Sequence, residues 1–107
     1  MPLYHLKTDI LEDKLAEFMR NLRSLWFEFL KEEGCLSYCV YQGFENETVF
    51  CLIGEYDTPR AMSDHFKTKN FDVLLGATQV LGRSFKLTIA DEAREGGYEL
   101  VQPTPMS

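Results

Sequence analysis

Histidine is nearly missing from this chain, with only His5 and His65 among 107 residues. Two imidazoles so far apart, without a carboxylate cluster, make a poor metal site, and no metal is expected. Cysteine is sparse as well. Cys35, Cys39 and Cys51 are odd in number and include no CxxC pair, which argues against a disulfide framework and against tetrahedral zinc. Cys35 and Cys39 are separated by four positions along a strand, too far to bridge. All three sit in apolar, strand-like stretches, where a free cysteine acts as a small buried hydrophobe. Basic charge is short, eleven Lys and Arg against seventeen Asp and Glu for a net −6. A chain so acidic cannot hold phosphate backbones or an anionic lipid surface by charge, so neither nucleic acid nor a membrane is an expected partner. No run of ~18 apolar residues is present to span a bilayer. The opening "MPLYHLKTDI" lacks the basic and apolar regions of a secretory signal, so a reducing cytoplasm is expected. GxGxxG, P-loop, GxSxG and HExxH patterns are all missing, and no cofactor is expected.

What is plentiful is apolar and aromatic surface: 45% of residues are hydrophobic and 13% aromatic. One domain of this length buries roughly two thirds of its unfolded surface, enough for a core without staples. The aromatic share also leaves room for a ligand cavity or a subunit interface. Residues 1–95 read as the domain. Residues 96–107, which begin with Gly-Gly and contain two prolines, read as a tail or arm.

"LYHLKTD" is a short strand. The strongest periodic signal follows in "ILEDKLAEFMRNLRSLWFEFLKEEG". There Leu15, Phe18, Met19, Leu22, Leu25, Trp26, Phe29 and Leu30 recur at three- and four-residue steps, the stripe of an amphipathic helix ended by Gly34. "CLSYCVYQGF" and "TVFCLIGEYD", joined by a short polar link, read as an antiparallel hairpin. Gly54 interrupts the second strand and marks either a bulge or a close approach. Thr58 and Pro59 start a second helix in the manner of an N-cap and first-turn proline. A break near Asn70 precedes another helical piece, and "GRSFKLTIADEA" is a last strand in which Phe85, Leu87 and Ile89 alternate with Ser84, Lys86 and Thr88. The order β-α-β-β-α-β predicts an α+β fold, a ferredoxin-like four-stranded antiparallel sheet with helices on one face. Both strand faces carry apolar residues, so the second face needs cover, and a homodimer packing sheet on sheet supplies it.

The stretch from Glu32 to Leu75 resembles the antibiotic biosynthesis monooxygenase family of dimeric α/β-barrel proteins. Gly34 opening a strand, Glu55 with an aromatic ending the next, and "AMSDHFKTKNF" with His65 and Phe71 carry the likeness. The resemblance implies a pocket between the sheet and the second helix for an aromatic or quinol-like molecule, oxidised without a cofactor. It also places His65 as a cavity residue, and His5 at a position where the family often puts a polar one. The haem-degrading branch needs an Asn on the first strand with a Trp and a His near the second helix. Here those last two positions hold His65 and Leu75, so haem degradation is not expected.

His65 follows Met62 by three residues and Ala61 by four, which sets it on the inward stripe of its helix. It is the expected catalytic base, removing a phenolic proton near neutral pH. The alternative is a half-buried histidine bonded to Glu55 or to a backbone carbonyl. Tyr38 and Tyr41 have opposite strand parity, so one joins the helix-side pocket and the other the opposite face. Tyr56, Met62, Phe66 and Phe71 complete the expected binding set with Glu55 and His5. A non-catalytic binding or regulatory dimer with the same shell is the main rival. An isomerase or lyase of a small oxygenated metabolite is the third reading, and it needs a second acid or base beside His65.

Overall fold

Alternation within "LYHLKTDI" sorts the first strand into two rows. Tyr4, Leu6, Thr8 and Ile10 are buried, whereas Lys7 between them is exposed. The computed structural model describes residues 1–90, in the order β1 (Leu3–Ile10), α1 (Leu15–Leu30), β2 (Cys35–Gln42), β3 (Val49–Tyr56), α2 (Pro59–Phe66), α3 (Lys69–Leu81) and β4 (Gly82–Ala90). The expected domain end at 95 and the arm over 96–107 lie outside these residues. All strand pairings are antiparallel and the spatial order is β2-β3-β1-β4, the ferredoxin-like arrangement.

Register carries the inward row of β1 across the sheet. Leu6 lies between Leu52 and Leu87, Thr8 between Phe50 and Phe85, and Tyr4 between Gly54 and Ile89. Against this face α1 buries Phe18, Leu22, Leu25 and Phe29. The buried stripe is narrower than its spacing predicts, because Met19 and Leu30 at its margins stay 41% and 40% exposed. α3 adds Phe71, Leu74 and Leu81 to the same layer. Each such side chain stabilises the fold by roughly 1.5–3 kcal/mol through burial.

Local chemistry sets the breaks. Thr58 caps α2, its Oγ1 accepting from the Ala61 amide at 3.1 Å, with Pro59 at the first position. The next break falls at Thr68 rather than Asn70, because Thr68 Oγ1 accepts from the Phe71 amide at 3.1 Å and restarts the helix as α3. Gly54 marks a close approach: an added Cβ would stand 2.9 Å from Tyr4 Cε1 and 3.0 Å from the Tyr38 ring. The register shifts lie instead on β2, between Cys35 and Ser37, and on β1, between Asp9 and Ile10.

The face away from the helices carries Leu3, Val49, Ile53, Cys39, Cys51 and Tyr41 among His5, Lys7, Asp9 and Glu55. It carries the expected apolar residues, interspersed with charged ones. The apolar alternation of β4 also points to the helix side, yet Phe85 and Ile89 remain 44% and 53% exposed on this edge strand. Among the described residues no helix is long and apolar enough to cross a membrane.

Candidate functional site

His65 sits on the inward side of α2, in the middle of an aromatic cluster. Phe29 meets its ring edge-on with centroids 4.7 Å apart, Tyr4 stacks at 5.2 Å, and Tyr56 and Phe71 lie at 5.1 Å. Phe66 is 5.7 Å away. The side chain has no exposed surface. Its position is fixed from behind by Thr68, whose amide and hydroxyl both donate to the His65 carbonyl, at 3.1 and 2.8 Å.

Both ring nitrogens are engaged. Nε2 is 2.8 Å from the Tyr4 hydroxyl, and that hydroxyl is in turn bonded to the hydroxyl of Tyr38. Nδ1 is 2.6 Å from Glu32 Oε1. Glu32 follows α1 in a tight turn: its amide donates to the Phe29 carbonyl and its own carbonyl accepts from Cys35. Gly34, at φ +84°, closes that turn in a conformation which favours glycine. The result is a continuous hydrogen-bonded chain, Tyr38–Tyr4–His65–Glu32, drawn from β2, β1, α2 and the turn after α1.

Burial governs its protonation. It lowers His65 to about 4 and raises Glu32 to about 7, because each charged form loses solvent. Burial also pushes the Tyr4, Tyr38 and Tyr56 hydroxyls well above the usual phenol range. With Glu32 ionised, Nδ1–H donates to Oε1, Nε2 accepts from Tyr4, and Tyr4 accepts from Tyr38. With Glu32 protonated every one of these bonds reverses and the chain stays intact.

The two shifts have opposite consequences for stability. His65 has a depressed value, so its contribution is present above about 6.5, the unfolded value, and is lost as pH falls toward 4. Glu32 has a raised value, so its contribution is present below about 4.5 and is lost as pH rises through 7. Between the two unfolded values the folded and unfolded chains hold the same number of protons on this pair, the proton having moved from imidazole to carboxyl. Urea unfolding of the wild type is therefore expected to show no pH slope from the pair over that interval. His65→Gln should expose a fall in stability as pH rises, and Glu32→Gln the reverse. Equal slopes in both variants would contradict this assignment.

The chain opens to solvent at its Glu32 end. Glu32, whose side chain keeps 18% exposure, opens into a cleft of about 610 Å3 between the α1–β2 turn and α2. Glu33, Asp57 and Asp64 also line it, opposed among the described residues by Arg60 alone, with Thr58 and Thr68 at its sides and His65 at its floor. The expected apolar pocket between sheet and α2 is thus not open. Tyr38, Tyr56, Met62, Phe66 and Phe71 fill that space around His65 as core side chains, and the cleft beside it carries charged residues at its rim.

The other expected site residues are elsewhere. Glu55, Tyr41 and His5 lie on the opposite sheet face, where His5 Nε2 is 2.6 Å from Cys51 Sγ. Strand parity separates each from the inward row, so the expected partnership of Glu55 with His65 gives way to Glu32. Tyr4 and Glu32 are the residues that the sequence reading passed over. The three cysteines are free and half-buried, and no cluster of three or more metal-ligating side chains occurs among the described residues.

Comparison with known proteins agrees with this architecture. No curated protein matches the chain. A solved structure of an antibiotic biosynthesis monooxygenase superposes with a TM-score of 0.79 at 19% identity, covering 88% of this chain and all of the other. A conserved protein from Methanosarcina mazei Go1 gives 0.78 at 25% identity, over 87% of this chain and 94% of its own. Rv0793 from Mycobacterium tuberculosis gives 0.78 at 17% identity, over 91% and 100%. The sequence pattern of the antibiotic biosynthesis monooxygenase family matches residues 5–74, a span that runs from β1 through α2 into α3 and includes both His65 and Glu32, and the chain belongs to that family.

Proposed function

We propose that this protein is a cytoplasmic, homodimeric monooxygenase that oxidises an aromatic or quinol-type small molecule without metal or flavin. The observation that carries the reading is the buried acid–base chain centred on His65, which ends in a cleft of suitable size for a small ligand. The substrate sits in the cleft with an acidic O–H or C–H directed at the floor, and the chain removes that proton. The resulting electron-rich anion reduces O2. For an anthrone-type methylene, one oxygen atom becomes the product carbonyl and the other leaves as water with the two methylene protons. All four electrons come from the substrate, so the balance needs no further reductant. The protein supplies orientation, a base and a site partly shielded from water. Tyr41, Ile53 and their neighbours on the uncovered sheet face form the dimer contact in this reading.

A second reading is favoured by one specific observation. An isomerase or lyase needs a second acid or base beside His65, and Glu32 is in that place. Oxygen consumption separates the two. Metal-free protein incubated with menadiol or an anthrone under air is expected to take up O2 faster than a protein-free blank, with His65→Ala slower than wild type, and to sediment as a dimer. Uptake equal to the blank, or an unimpaired His65→Ala, would refute the oxygenase. A single species near 12.4 kDa at micromolar concentration would refute the dimer. A saturable ligand-induced rise in Tm with no turnover would point to a binding module.

A further inference from the structure

We infer that Glu32 is the group that exchanges a proton with a ligand in the cleft, and that His65 is a positioning residue behind it. This deepens the acid–base reading above and rests on it. Three features of the geometry support the assignment.

First, access decides which member of the chain can touch a ligand. His65 has no exposed side-chain surface and both its nitrogens are taken, one by Tyr4 and one by Glu32. Tyr4 is fully buried and Tyr38 nearly so. Of the two chain members that line the cleft, Glu32 and His65, Glu32 has exposed side-chain surface and His65 has none.

Second, the chain lets Glu32 change protonation state without placing a charge in the core. When Glu32 takes a proton, its O–H donates to Nδ1, Nε2–H turns toward the Tyr4 oxygen, and Tyr4 O–H turns toward Tyr38. The imidazole is neutral before and after, and only its tautomer changes. If His65 held the proton instead, an imidazolium would sit among Phe29, Phe71, Tyr4 and Tyr56, where desolvation penalises it heavily. The raised affinity of Glu32 for a proton and the lowered affinity of His65 agree with that order.

Third, the surroundings narrow the ligand class. Glu33, Asp57 and Asp64 share the cleft with Glu32, and among the described residues Arg60 is the one cation lining it. From the sheet side Glu32 is backed by Cys35, Tyr38, Tyr56 and Tyr4. A carboxylate or phosphate ligand would meet net repulsion there. A neutral molecule with a phenolic or enolic hydroxyl would not, and it could donate that hydroxyl to Glu32.

The test uses the full chain and two independent readouts. In protein carrying 13C-carboxyl glutamate and 15N-imidazole histidine, one glutamate should titrate near neutrality and vanish in Glu32→Gln. The His65 nitrogens should exchange tautomer, without gaining a net proton, over roughly pH 5 to 8. In turnover of menadiol or an anthrone, Glu32→Gln should lower kcat by at least about 100-fold with little change in KM. Glu32→Asp should recover part of the rate, and the acidic limb of the pH profile should disappear in Glu32→Gln. A Glu32→Gln protein as fast as wild type overturns the inference and leaves the oxygenase reading standing. A wild type with no turnover ends the oxygenase reading, and the titrations then decide the inference alone: an imidazolium forming at His65 while Glu32 stays ionised overturns it.

Discussion

Phe29→Ala is expected to destabilise the protein by about 3–5 kcal/mol, the range for truncating a fully buried aromatic residue. Phe29 has no exposed surface, and its ring packs against both His65, at 4.7 Å, and Tyr38, at 4.9 Å. Truncation would leave a cavity beside the hydrogen-bonded chain, where the surrounding sheet and helix cannot collapse inward without moving Tyr4 or Tyr38. For a domain of this size each kcal/mol lowers Tm by about 4–8 °C, so a fall of roughly 15–30 °C is expected by calorimetry. Phe29→Leu should recover much of it. A Tm within about 5 °C of wild type in Phe29→Ala would show that the ring does not hold the site together.

Tyr4→Phe removes one oxygen atom and is expected to cost about 2–4 kcal/mol. The substitution leaves the ring packing in place but strips a partner from two buried groups, the Tyr38 hydroxyl and His65 Nε2. An unsatisfied buried polar group costs about 1–3 kcal/mol, well above the net worth of one hydrogen bond. The double variant Tyr4→Phe/Tyr38→Phe should therefore be more stable than the sum of its singles predicts, since removing the second hydroxyl also removes one of the orphans. Urea unfolding of all four proteins measures this. Strict additivity would mean that the two hydroxyls are not partners.

Much of the fold was readable because its signals are local. The period of α1, the threonine cap and proline of α2, and the alternation in β4 each depend on neighbours within a few positions. They also establish the order of elements that gives the sheet. His65 was identifiable for the same reason, from its place after Met62 on one helical stripe.

Its partners were harder to see because they come from distant segments, and in two cases polarity misdirected the reading. His5 drew attention as a polar residue on β1, yet its row contains Lys7 and Asp9. Tyr4 shares its row with Leu6, Thr8 and Ile10, and that two-residue period marks it as the inward one. Glu55 likewise looked placed to orient His65, but Phe50, Leu52 and Tyr56 define the inward parity of β3 and exclude it. Glu32 continues the buried series Leu22, Leu25, Phe29, whose steps are three and four residues, by a further step of three. A carboxylate prolonging an apolar stripe was the available signal. The openness of the cleft and the filled space behind it depend on how side chains pack, and no spacing encodes that.

The hydrogen-bonded chain also bears on how the protein folds. Tyr4 joins Tyr38 across 34 positions and His65 across 61, while Glu32 joins His65 across 33. Each closure loses chain entropy before any contact compensates for it, and topologies dominated by such contacts fold slowly. β1 is a central strand that must pair on both sides before Tyr4 reaches its place. The hydrogen-bonded chain is thus complete only when the first strand is locked between the third and the last.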